Sequence, residues 1–177
     1  MALVTTVGGA SANSYGDADG AAAYFLATGR ADQWDRAVAG LPEAWLLRAM
    51  PYLEAQEYPG SRASSTQALE FPRVGGHPST LTPTTTSVTG LYDLRGRFWA
   101  STAIPQPLKD AQYEQALAMA ENEQWLSDSY RQSSVTAGSA TLQKRTGWEL
   151  GTLCKVATVR LTGLLLSQRG VKRLVRI

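Results

Sequence analysis

The stretch Pro107-Leu-Lys-Asp-Ala-Gln-Tyr-Glu-Gln-Ala-Leu-Ala-Met-Ala-Glu-Asn-Glu-Gln-Trp-Leu-Ser127 decides the architecture. Proline suits the first helical position, where its missing amide hydrogen costs nothing. Tyr113, Ala116, Leu117 and Ala120 then recur on one stripe, with Lys109, Asp110, Glu114, Glu121 and Glu123 largely outside it. A helix over 108–127 follows, and its many alanines permit close approach by other helices. Upstream, Asp17 is a good N-cap for a helix over 18–27, and Gly29 is available for the left-handed position that ends it. A short amphipathic helix fits 32–39. Another begins at Pro42, with Leu46, Ala49, Met50 and Leu53 on one face; Pro51 inside it removes the hydrogen bond to Leu47 and predicts a kink. Downstream, the β-branched residues Thr152, Val156, Thr158 and Val159 predict a β element over 152–161, followed by a helical turn from Thr162 to Gln168. Tyr24, Phe25, Trp45, Tyr52 and Leu53 read as core. The fold class is mainly α: a small helical bundle with a long loop, a candidate hairpin, a short β element near 152–161 and an extended C-terminal arm.

Between the helices, residues 58–102 turn rich in glycine, proline, serine and threonine. Within them Val88–Asp93 and Arg97–Ala100 flank Leu94-Arg95-Gly96, which suits a hairpin turn. A connection this long inside one domain marks a binding or lining loop. At 177 residues the chain suits one core. The expected organisation is an N-terminal arm over 1–12, a domain over 13–163 with its long loop at 74–103, and a C-terminal docking arm over 164–177.

Charge is unevenly spread. Residues 1–60 carry seven acids and three arginines, residues 61–149 balance, and residues 150–177 carry six basic residues and no acid, for a total of +2. Opposite poles on a nearly neutral chain suit a subunit meeting neighbours head to tail. With only 18% charged residues, less than usual, some surface is expected to be covered by partners. In the ending Val171-Lys172-Arg173-Leu174-Val175-Arg176-Ile177, apolar and positive residues interleave, which predicts docking by strand addition or insertion in a groove. The docking residues are Leu164, Leu165, Leu166, Arg169, Val171, Lys172, Arg173, Leu174, Val175, Arg176 and Ile177. Arg62 and Arg73 are candidate intersubunit salt-bridge donors, and Trp34, Trp99 and Trp125 candidate subunit contacts.

Nothing in the sequence assembles a catalytic, cofactor or metal site, and the reading is not an enzyme. The one cysteine, Cys154, and the one histidine, His77, cannot make an internal disulfide or a histidine-rich metal site. Gly8-Gly9-Ala10-Ser11-Ala12-Asn13 lacks the lysine of a phosphate loop. Apolar runs are too short to cross a bilayer, and the start lacks the pattern of a signal peptide, so synthesis in a cytoplasm and no membrane partner are expected. Direct nucleic-acid binding would need cations interleaved with aromatics, and the basic end has no aromatic after Trp148.

The segments Ala12-Asn13-Ser14-Tyr15, Ala21-x-Ala23-Tyr24-Phe25, Leu46-x-Arg48-Ala49-x-x-Tyr52-Leu53, Tyr58-x-Gly60-x-Arg62, Leu69-x-Phe71-Pro72-Arg73 and Ile104-Pro105-x-x-Leu108-Lys109-x-Ala111 stand in an order that resembles a family of tailed-phage head-to-tail adaptor or connector proteins, sometimes labelled DnaT-like single-stranded-DNA-binding proteins. The resemblance spans roughly residues 12–126. Pro51 and the enlarged 74–103 loop depart from it. It implies a structural protein of the virion, made in the host cytoplasm, assembling as a homo-oligomeric ring, usually of twelve copies. Such a ring holds the portal protein through its C-terminal segment and receives a downstream tail or nozzle protein. Genomic DNA would pass through its lumen without specific binding. Two other readings stay open: a single-stranded-DNA-binding replication module and a tail-completion factor.

Overall fold

The structure is a computed structural model that describes residues 2–75, 90–121, 135–137, 140–142 and 153–166. The described residues are mainly helical. Helices α1 (Ala18–Ala27), α2 (Ala31–Val38), α3 (Pro42–Glu54), α4 (Gln106–Glu121) and α5 (Lys155–Arg160) are joined by the short strands β1 (Ser61–Arg62), β2 (Arg73–Val74), β3 (Gly90–Tyr92) and β4 (Phe98–Ala100), with a further pair, β5 (Val135–Ala137) and β6 (Ala140–Leu142).

Helix α4 is the hub. It packs against α1, α2, α3 and α5, and so buries residues on every side: Leu108, Ala111 to Leu117, and Met119. The amphipathic stripe expected from spacing is therefore only part of the buried surface, and Glu114, expected outside it, is buried. Residues 122–127, which would extend this helix, lie outside the described residues. Around α4 the core gathers Phe25, Leu46, Leu53, Phe71, Leu91, Leu161 and Leu164, each at most 2% exposed.

The helix boundaries follow local chemistry. The Asp17 carboxylate accepts the Gly20 amide at 2.7 Å and caps α1, which ends with Gly29 at φ 71°. Such a cap stabilises a helix by about 1 kcal/mol. Helix α3 starts at Pro42 and continues past Pro51, which it carries on its exposed side, to Glu54.

Residues 155–160 form α5, so the β element expected over 152–161 is not there. Ala157, Leu161 and Leu164 recur at helical spacing and are fully buried, in contact with the α4 side of the core. That burial outweighs the modest strand preference of Val156, Thr158 and Val159. The Cys154 sulfur accepts the Ala157 amide and caps the helix, and burial pushes its thiol pKa up.

The β structure lies instead at 61–62, 73–74 and 90–100. Strands β1 and β2 pair antiparallel, as do β3 and β4. Gly75 bridges the two pairs: its amide donates to Gly90 O and its carbonyl accepts Tyr92 N, each at 2.9 Å. The hairpin turn expected at Leu94-Arg95-Gly96 is present, with Gly96 at φ 76°. The polar segment around 135–142 also holds an antiparallel pair, β5 with β6.

The N-terminal residues are fastened to the domain and do not project as an arm. The Asn13 side chain accepts Val4 N at 2.7 Å and donates to Ala2 O at 3.0 Å, while Ala68 N donates to Gly9 O at 3.2 Å.

Candidate functional site

Three polar clusters tie the fold together and decide which charges remain for a partner. Gln112, fully buried in α4, accepts Tyr15 N at 3.2 Å and Gly16 N at 2.9 Å and donates to Ser14 Oγ at 2.7 Å and Leu46 O at 3.1 Å. Two residues on, Glu114 accepts Arg30 through both terminal guanidinium nitrogens and the Tyr24 hydroxyl at 2.5 Å. Burial, followed by this hydrogen bond, pushes the Tyr24 pKa up to about 12. Gln115 accepts Cys154 N at 2.7 Å and so fixes the start of α5.

The third cluster organises residues 54–73. Arg73, only 8% exposed, donates to Pro59 O at 2.8 Å, Gly60 O at 2.6 Å and Tyr58 O at 3.2 Å, and pairs with Glu70. Arg62 pairs with the same carboxylate. Phe71 packs edge-on beneath Tyr15 and Tyr58, as an aromatic under a turn should. Glu54 accepts the Tyr15 hydroxyl and Glu70 N, and burial raises its pKa.

These contacts correct several candidates. Arg73 is spent inside the chain as an organiser of its own loop, whereas Arg62 pairs with Glu70 and keeps its side chain exposed. Trp34 is core, 2% exposed and stacked on Phe25 at 4.8 Å, which removes it as a subunit contact. Leu164 and Leu165 are also core, so a docking arm begins no earlier than Leu166, which is 52% exposed. Tyr24 and Trp45, expected as core, are only partly buried. Trp125, Arg169, Val171, Lys172, Arg173, Leu174, Val175, Arg176 and Ile177 lie outside the described residues.

The β3–β4 hairpin presents what the basic tail lacks by itself. Tyr92 and Phe98 are cross-strand partners with ring centroids 5.1 Å apart, and Phe98 is 49% exposed. Arg95 and Arg97 are exposed beside them, and Arg97 lies over the partly buried Trp99 ring at 5.3 Å. Asp93 holds the turn: its carboxylate accepts Arg95 N and Arg97 N at 2.9 Å, Arg97 Nε at 2.7 Å and Trp99 Nε1 at 3.3 Å. Burial alone would raise the Asp93 pKa, but these donors outweigh it and hold the pKa below the ordinary value. The turn is anchored to the segment after α5 by Leu94 N donating to Gly163 O at 2.8 Å. Helix α5 itself exposes Lys155, Val156, Val159 and Arg160. The sequence announced the turn here, but the aromatic face depends on cross-strand register, which spacing alone does not reveal.

A cleft of about 490 Å³ lies between α1, the first half of α4 and the N-terminal segment. Tyr24, Tyr113, Asp17, Lys109 and Ile104 line it. No group of metal-ligating side chains occurs among the described residues, and no helix among them is long and apolar enough to cross a membrane.

No curated protein and no solved structure matches this chain. Residues 1–88, which run from the N-terminal segment through α1, α2 and α3 to beyond β2, match the model of a family described as "Putative DnaT-like ssDNA binding protein".

Proposed function

We propose that the protein binds single-stranded DNA, with the β3–β4 hairpin as its contact surface. The observation that carries this reading is the exposed Phe98 ring, paired with the half-buried Tyr92, beside the exposed Arg95 and Arg97, of which Arg97 also pairs with Asp93. An exposed ring offers a stacking face to any base, worth about 1–3 kcal/mol per base, while arginines neutralise phosphates. The Leu94–Gly163 hydrogen bond sets this surface next to the segment from which the basic sequence Arg169 to Arg176 continues. The family match over residues 1–88 supports the same ligand class. Within those residues Arg30 and Arg73 are committed to Glu114 and Glu70, while Arg36 and Arg48 are exposed, Arg48 lying over the Trp45 ring at 4.9 Å.

Fluorescence anisotropy with a labelled oligothymidine of roughly 20 nucleotides tests this. Binding should weaken steeply between about 50 and 200 mM salt. The double substitution Phe98→Ala, Arg95→Ala should weaken it at least about tenfold. Binding unaffected by that pair, or none at low salt, sinks the reading.

A second reading, the head-to-tail adaptor, is favoured by the exposed apolar residues Val156, Val159 and Leu166 that precede the basic end. Such a surface suits a protein partner. Co-sedimentation with portal rings, comparing the full chain with one ending at Leu166, tests it. A cut after Gly163 would remove Leu164 and Leu165 from the core and confound the result. Binding by the full chain alone supports the adaptor, and binding by neither removes it.

A further inference from the structure

The cleft between α1 and α4 carries hydrogen-bonding groups that the fold itself does not use. Tyr113 is 2% exposed, and its hydroxyl sits over the backbone of Gly16 and Gly20, where any Cβ would collide with it. That hydroxyl takes no hydrogen bond among the described residues. Burial, with Asp17 and Asp110 nearby, pushes its pKa up to about 12, so it remains a neutral donor and acceptor. Asp17 uses Oδ1 to cap α1, and its Oδ2 is left without a hydrogen bond among the described residues. Two rings, Tyr24 and Tyr113, stand 5.7 Å apart and tilted by 45°. Two cations flank them: Lys109 lines the cleft, and the exposed Arg160 lies over the Tyr24 ring at 5.6 Å.

We infer that this cleft takes one unpaired guanine-type base, with Lys109 and Arg160 serving its phosphate. The inference rests on the single-strand-binding reading and deepens it by assigning a base-selective subsite apart from the hairpin. The volume lies within the range of small-molecule sites, roughly 300–1,000 Å³. The tyrosine rings provide an apolar, aromatic wall, and the Tyr113 hydroxyl meets a ring nitrogen or carbonyl. Selection comes from Asp17. Guanine offers two adjacent N–H donors to a carboxylate, whereas thymine offers one N–H between two carbonyl oxygens that repel it.

The experiment titrates the full chain with guanosine monophosphate and with thymidine monophosphate, followed by amide NMR shifts. Guanosine monophosphate should shift Gly16, Gly20 and Tyr113 and bind about tenfold more tightly than its thymidine counterpart. Asp17→Asn keeps the helix cap and should abolish that preference. Tyr113→Phe should weaken binding several-fold without lowering the melting temperature. Equal binding of the two nucleotides, or shifts that bypass Gly16 and Gly20, overturns the inference. If oligothymidine binds through the hairpin while guanosine monophosphate leaves the cleft untouched, the cleft assignment fails and the single-strand reading stands. If the mononucleotide binds as expected but no oligonucleotide does, the cleft is upheld as a nucleotide site and the single-strand reading fails.

Discussion

Gln112 shows how one side chain can bind three parts of a chain. Its amide reaches the segment before α1 and the backbone of α3 from the centre of α4, and all of its partners are buried. Gln112→Leu would leave the Tyr15 and Gly16 amides unpaired and out of water. Each orphaned group costs about 1–3 kcal/mol, partly offset by relaxation, so a loss of about 3 kcal/mol is expected in urea unfolding. An unchanged midpoint would show that water replaces the amide. This role was not legible in the sequence, because the partners lie 66 to 98 positions away. Trp34 escaped for a similar reason: it lies off the helical repeat when α2 is read alone, and only the return of α1 supplies the Phe25 ring it stacks on.

At the scale of elements, the hairpin carries a pH dependence of definite sign. The Asp93 pKa is lower in the fold than its ordinary value of 3.8. The stabilisation is therefore complete above that value and is lost as pH falls through the folded pKa. Asp93→Asn should loosen the turn at neutral pH, seen as faster exchange of the Arg95 and Arg97 amides. The difference from the parent should shrink as pH drops below about 4. A difference independent of pH would mean that shape, and not charge, holds the turn. The elements most legible in sequence were those closed by local chemistry: α1 between Asp17 and Gly29, α3 from Pro42, and the turn at Gly96. Helix α5 was misread because its four β-branched neighbours speak for a strand, and only the burial of Ala157, Leu161 and Leu164 decides otherwise. The aromatic face of the hairpin and the α1–α4 cleft are products of register and packing, so the residues were visible but their grouping was not.

Across the whole molecule, the segment after α5 works as a clasp. Leu164 and Leu165 enter the core, Leu166 N donates to Glu57 O at 2.9 Å in the segment after α3, and Gly163 O receives the hairpin turn. Ending the chain at Leu166 should leave the melting temperature nearly unchanged. Ending it at Gly163 removes two buried leucines, each worth about 2–5 kcal/mol. That loss is comparable to the 5–15 kcal/mol that holds a typical domain folded, so extensive unfolding is expected by circular dichroism. Equal stability of the two truncations would show that the clasp is dispensable.

The hydrogen bond from Gly75 N to Gly90 O has a practical corollary. It brings together the two ends of residues 76–89, so whatever the intervening chain contains starts and finishes at one spot. Doubling its length with a flexible polar insert should cost only about 0.6 kcal/mol in closure entropy. An epitope, a fluorophore site or a small folded reporter spliced there should leave the helices in place, making this junction a natural port for engineering.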